Sequence, residues 1–146
     1  MKIYLDCCSI HRPFDDKSQP RIAVESEAIL VILTMCESDQ LTLISSEALQ
    51  FEVGRIPDQD RREEALAILK IAKETIELTP ELESLAGSLK ASGMKPLDAL
   101  HLASASISKA DYFCTCDDEL IKKSKKIGRL YTKVVSPTEL VMEVDI

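Results

Sequence analysis

The segment from Pro96 to Ile107, PLDALHLASASI, offers no bulky polar face in any direction around a helix, because Ala, Ser and Leu fill nearly every position from Ala99 onward. Such a helix has no side to turn to solvent and belongs wedged between layers of a fold. Pro96 suits a first helical turn, where a missing N–H costs nothing. The chain then turns through Lys109-Ala110-Asp111 into Tyr112-Phe113-Cys114-Thr115, a short apolar run typical of a buried strand.

That order fixes a geometry. A helix that leads through a tight turn into a strand packs antiparallel to it, so its start lies beside the strand's end. About 13 helical residues at 1.5 Å and about 6 strand residues at 3.3 Å both span roughly 20 Å. Asp98, at the helix start, should therefore face Asp117, just past the strand. Two carboxylates crowded at one rim of a sheet repel unless a positive group sits between them, and a divalent metal is the usual answer.

The remaining chain supplies the sheet. Lys2 to Cys7 reads as a first strand and Cys8 to Pro20 as a polar loop. Ile22 to Cys36 has helical spacing, with Ala28, Val31, Ile32 and Met35 as the apolar stripe. Leu41 to Ile44 reads as a second strand, and Ser45 or Ser46 caps the following helix, which carries Glu47, Leu49, Phe51 and Glu52 and ends at Pro57. Asp60 to Lys73 is an amphipathic helix and Ile76 to Leu78 a short strand. Thr79-Pro80 opens a helix closed by Gly93. A lysine-rich helix closed by Gly128, a strand from Tyr131 to Val135 and a terminal helical turn from Pro137 follow. Strands alternating with helices predict an α/β fold: a parallel sheet of four or five strands covered on both faces, as one domain over residues 1–146. Ligands of such sheets bind beyond the carboxyl ends of the strands, where Asp6 and Asp117 fall.

With 45% hydrophobic and 29% charged residues, the composition is that of an ordinary globular protein. No apolar run approaches a membrane span and no signal peptide precedes the first strand, so a cytoplasmic protein is expected, away from membranes. Five cysteines, an odd number, fit a reducing compartment better than a disulfide framework. The formal charge of −7, from 18 basic and 25 acidic residues, argues against a broad nucleic-acid-coating surface. It leaves room for a nuclease, since an acidic metal pocket contributes several of the negatives.

Four pieces of the chain carry a resemblance to a known family. They are the strand ending IYLD, the helix SSEALQFE after the second strand, the segment PLDALHLASA, and the strand followed by TCDDEL. In this order they resemble the PIN-domain family, particularly small prokaryotic ribonucleases of the VapC toxin type. The resemblance implies a three-layer α/β/α sandwich with metal ligands at Asp6, Glu52, Asp98 and Asp117. It implies Mg2+- or Mn2+-dependent hydrolysis of RNA phosphodiester bonds by metal-activated water, with those four acids as the catalytic set. It further implies a homodimer and a small antitoxin protein that covers the acidic site. The family commonly has Asn two residues after the first Asp, where this chain has Cys8; a thiol is a poor partner for hard cations. Glu52 rests on the resemblance alone, since Glu47 is close by and helix–strand geometry does not reach it.

Each acid also has a plainer account. Asp98, Asp117 and Asp118 stand where carboxylates favour helix starts. Asp118 reads as a solvated neighbour that could contact a second ion or water. Ser46 and Thr115 are candidates for supporting contacts, against helix capping and an unremarkable strand threonine. Arg12 could hold a phosphate or pair with Asp15 or Asp16. Lys122, Lys123, Lys125, Lys126 and Arg129 could track a nucleic-acid backbone or form a solvated helix face. His101 reads as a packed, hydrogen-bonded histidine one turn after Asp98, and His11 as a surface loop residue. Cys7, Cys8, Cys114 and Cys116 would suit Zn2+ if converged, but adjacent cysteines point to opposite strand faces, so small buried hydrophobes are the better reading. Two competitors to the ribonuclease reading are a catalytically impaired PIN-like nucleic-acid or protein-binding module, hinted at by Cys8, and a receiver-like phosphoacceptor, whose partner motifs are missing.

Overall fold

A computed structural model describes residues 1–128 and 130–144. Five strands, β1 (Lys2–Leu5), β2 (Thr42–Ser46), β3 (Glu74–Ile76), β4 (Tyr112–Cys114) and β5 (Lys133–Val135), form one sheet in the order β3-β2-β1-β4-β5. Every neighbouring pair is parallel, as the alternation of elements predicts. Ile3, Tyr4 and Leu5 are consecutive and all fully buried. Successive strand residues point to opposite faces, so the sheet is covered on both sides, the middle layer of an α/β/α sandwich.

The helices are α1 (Cys7–His11), α2 (Pro20–Glu37), α3 (Glu47–Gly54), α4 (Gln59–Leu69), α5 (Pro80–Ala91), α6 (Pro96–Ile107), α7 (Asp118–Ile127) and α8 (Pro137–Glu143). Side-chain caps set most of their starts, while α2 and α6 open on Pro20 and Pro96 without one. Ser46 accepts from Leu49 N–H, Asp58 from Arg61 N–H, Thr79 from Leu82 N–H, Asp117 from Glu119 N–H and Ser136 from Glu139 N–H. α7 ends on Gly128 at φ 77°, a left-handed closure that favours glycine. α6 lies against β2 and β4 with α5 and α3 beside it. Its Ala99, His101, Leu102, Ala103, Ser104 and Ala105 are buried, which explains the lack of bulky polar groups. Among the described residues no helix is long and apolar enough to cross a membrane.

Several boundaries differ from the sequence expectation. The first strand stops at Leu5, because the Asp6 side chain accepts from Ser9 N–H and starts α1. The expected loop from Cys8 onward therefore begins as helix, continues as a 3-10 turn at Arg12–Phe14, and places His11 in α1 rather than in a surface loop. On α2 the buried stripe is Ala28, Ile29, Ile32, Leu33 and Cys36. Val31, expected inside, is 44% exposed. α2 packs against α8 and the 3-10 turn, neighbours that helical periodicity cannot choose. The third strand begins two residues earlier than expected and the fifth two residues later.

The strand order has one consequence for ligands. From the central β1 the chain steps outward through β2 to β3, then crosses back to β4 on the other side. The β1/β4 boundary is thus a switch point, and a crevice opens beyond the carboxyl ends of these two strands.

Candidate metal centre

Asp6 follows β1, and Asp117 follows β4 by three residues, so both stand at the switch point. α6 runs back along the sheet and delivers Asp98 from its first turn, while α3 contributes Glu52. All four carboxylates line one small cavity of about 160 Å³, together with Cys7, Cys8 and His101. The four acids are separated by 111 positions of sequence and meet only through the fold.

Each acid is held differently. Asp6 is 6% exposed; its Oδ1 accepts from Ser9 N–H at 3.0 Å, and Cys8 Sγ lies 3.1 and 3.2 Å from the two carboxylate oxygens. Burial raises its pKa above the ordinary carboxylate value, while hydrogen bonds from Thr115, Cys8 and Ser9 pull the other way. Cys8 therefore supplies a donor to Asp6, so the substitution of thiol for amide leaves the carboxylate supported. The Asp117 Oδ1 atom caps α7 through Glu119 N–H at 2.9 Å, and Asp117 N–H donates to Thr115 Oγ1 at 3.1 Å. Thr115, fully buried, thus links Asp117 to Cys8, whose sulfur lies 3.5 Å from the threonine Oγ1, and through Cys8 to Asp6.

Glu52 is fixed by a chain that the sequence does not suggest. Its Oε1 lies 2.7 Å from His101 Nε2, whose other nitrogen, Nδ1, lies 2.7 Å from Tyr4 Oη; Tyr4 Oη in turn lies 2.6 Å from Ser46 Oγ. Burial raises the Tyr4 phenol well above its ordinary pKa, so it keeps its proton and can donate to Nδ1. The hydrogens then close in one direction: Leu49 N–H to Ser46, Ser46 to Tyr4, Tyr4 to His101 Nδ1, and His101 Nε2–H to Glu52. His101 is the packed histidine expected, yet it also lines the cavity and orients one of its carboxylates. The signal available in sequence was weak: a histidine on an otherwise Ala/Ser/Leu helix has to find polar partners.

Asp98 is the exception. Among the described residues its carboxylate has neither a hydrogen bond nor an ion pair, although burial, then Asp6, then Asp117 raise its pKa. A half-buried carboxylate facing two more, with no Lys or Arg paired to any of the three among the described residues, is a site short of positive charge. The donor set is all oxygen and fits a hard divalent cation in chemistry. Asp6, Glu52, Asp98 and Asp117 are the side chains that could hold it. The arrangement is a rim and not a closed cage, since among the described residues no three His, Cys, Asp or Glu side chains converge tightly enough to ligate one ion as they stand.

Other candidates fall elsewhere. Arg12 is committed to Asp15 at 3.1 Å, to the Cys116 sulfur at 3.3 Å and to Glu25 at ion-pair distance, 3.2 Å. It lies off the acidic cavity, where a phosphate would meet it. Asp118 is engaged by both terminal nitrogens of Arg21 at 2.8 Å and is likewise absent from the cavity wall. Ser46 caps α3 and anchors the tyrosine, and it does not itself line the acidic cavity. Lys122, Lys123, Lys125 and Lys126 ride on the outer part of α7, and Arg129 lies outside the described residues. Cys114 accepts from Ser9 Oγ at 3.6 Å, so its sulfur, like those of Cys8 and Cys116, has a protein partner.

Residues 3–126 match the PIN domain family. No curated protein matches the chain. Among solved structures, VapBC2 from Rickettsia felis bound to a DNA fragment from its promoter is similar with a TM-score of 0.57 and 16% identity, over 93% of this chain and 98% of that one. PAE2754 from Pyrobaculum aerophilum is similar with a TM-score of 0.57 and 14% identity, over 99% of this chain and 89% of that one. At these identities the likeness concerns the fold.

Proposed function

The chain belongs to the PIN domain family, and from that premise we propose that it is a metal-dependent ribonuclease that hydrolyses RNA phosphodiester bonds. The observation that carries the reading is the meeting of Asp6, Glu52, Asp98 and Asp117 in one cavity at the switch point, with Asp98 lacking any protein partner among the described residues. Asp6, Glu52, Asp98 and Asp117 would hold a divalent ion, Mg2+ or Mn2+, which would supply Lewis-acid activation of water and charge neutralisation at the scissile phosphate. The chain's own part is orientation. Cys8 and the Ser9 N–H fix the plane of the Asp6 carboxylate, the α7 cap leaves one Asp117 oxygen free, and His101 aims Glu52. At the cavity burial raises the Cys7 thiol to about 12, and the Cys8 thiol, although hydrogen-bonded to Asp6, is raised by its contact with Cys116 and by burial, so neither sulfur offers a thiolate nucleophile.

The Rickettsia structure is a VapBC complex, which supports a toxin role with a small antitoxin partner. We extend the proposal to one domain spanning residues 1–146 that works as a homodimer in the cytoplasm. The test is cleavage of total RNA with Mg2+, Mn2+ or chelator, comparing the natural chain with Asp98→Asn. Metal-dependent cleavage that falls at least a hundredfold in the variant supports the reading, and full activity in Asp98→Asn refutes it. The loose convergence of the acids favours a second reading, a catalytically impaired module that binds nucleic acid or protein. Calorimetry with Mn2+ separates the two, since an impaired module need not bind metal in the micromolar to millimolar range.

A further inference from the structure

A second cavity, about 590 Å³, adjoins the acidic one and shares Cys7, Cys8 and Glu52 with it. Its remaining wall is mixed: the apolar Ile56 and Pro57, the imidazole of His11, the guanidinium of Arg61, and the carboxylates of Asp15, which pairs with Arg61, and Asp58. We propose that this cavity is a subsite for one unstacked nucleobase of the RNA strand beside the bond to be cut, and that His11 reads that base. The proposal rests on the ribonuclease reading and adds to it a determinant of where the strand is cut.

Position is the first argument. A strand whose phosphate lies against the acids must lead its neighbouring nucleotide away from them, and the shared wall makes this cavity the adjoining space. Size is the second, since the volume falls in the range of small-ligand pockets and admits a nucleoside. Chemistry is the third. Single-stranded RNA is read by splaying a base out, stacking it on a His or aromatic ring or an Arg plane, and hydrogen-bonding its edge. Ile56 and Pro57 give the apolar wall for a base, and His11 and Arg61 give the two kinds of plane.

His11 carries the most specific feature. Its Nδ1 is buried and has no hydrogen-bond partner. A proton there would be an orphaned buried donor, so it belongs on Nε2, the ring's remaining polar atom. Burial, then the Arg61 charge, lower the His11 pKa from its ordinary value and so favour the neutral ring. A neutral N–H donor suits a carbonyl or ring nitrogen of a base and has little to offer a phosphate over water. Arg61 is held in place by its Nη2, which donates to Phe14 O at 2.7 Å and Asp15 Oδ1 at 2.8 Å. Its other two nitrogens have no partner among the described residues and remain for the strand. The Asp58 Oδ1 atom caps α4, and Oδ2 is left as an acceptor for a base amino group.

The experiment cleaves a single-stranded RNA library of random sequence with Mn2+ and sequences the new ends, using the natural chain, His11→Ala, His11→Phe and His11→Gln. The expected result is a base preference at one position beside the cut in the natural chain. His11→Ala reduces it about tenfold, the scale of one hydrogen bond to a base. His11→Phe keeps cleavage but changes which base is preferred, and preferences at other positions and the metal requirement stay as they were. Thermal melts establish that each variant is folded, and His11→Gln carries the test if His11→Ala is not. An unchanged profile in every folded variant, or no preference beside the cut in the natural chain, overturns the subsite while leaving the ribonuclease reading intact. Absence of any cleavage by the natural chain overturns both.

Discussion

Replacing Tyr4 by Phe removes one oxygen from the middle of the chain that runs from Ser46 to Glu52. The ring remains, so its stacking on Phe113, with centroids 5.4 Å apart and planes 9° from parallel, is kept. What is lost is the partner of His101 Nδ1 at 2.7 Å and of Ser46 Oγ at 2.6 Å, in a place where Tyr4 is fully buried and water does not substitute. Each buried polar group left without a partner costs about 1–3 kcal/mol. With both groups orphaned and partly relaxed, the variant should lose about 2–4 kcal/mol. Unfolding entropy of about 2.1 cal/mol/K per residue amounts, over 146 residues, to about 0.3 kcal/mol/K, so Tm should fall by roughly 7–13 °C. The assay is thermal unfolding in chelator, so that ion binding adds nothing to the reading. Repeating it with His101→Leu and with both changes gives the coupling between the two residues. A fall in Tm under about 2 °C, or single effects that add to within about 0.5 kcal/mol, would refute the hydrogen-bond chain as a unit.

Asp6 and Asp98 have pKa values raised above the ordinary 3.8, so each binds its proton more tightly folded than unfolded. Their contribution to stability is present below that value and is lost as pH rises through the raised one. Chelator-treated protein should therefore lose Tm on going from pH 4 to neutrality more steeply than Asp98→Asn does; parallel curves for the two would contradict this. Arg12→Ala should cost on the order of 3 kcal/mol, because Glu25, 3% exposed, then keeps, among the described residues, Arg21 alone at 3.4 Å. RNA affinity should be unchanged in that variant, and weakened affinity with an intact fold would restore the phosphate-holding role. Replacing Lys122 and Lys126 by Ala should lower the slope of log affinity against log salt by about 1.4 if α7 tracks a single strand. An identical slope would leave those lysines as a solvated face.

The sequence by itself determined the elements and three of the four acids at the rim. Apolar runs, caps and helix-closing glycines are local signals, and a helix turning tightly into a strand must bring its first turn back beside the strand's end. That constraint alone brings Asp98 beside Asp117, and the end of the first strand puts Asp6 at the same edge. Only the tertiary structure decided what surrounds them. Glu52 is aimed by His101, 49 residues away, and Asp118 is taken by Arg21, 97 residues away. Arg12 turns to the buried Glu25, and His11 turns from a loop into the wall of a cavity. These are pairings through space, settled by which strands lie side by side and how far a side chain reaches. Spacing along the chain carries no record of either.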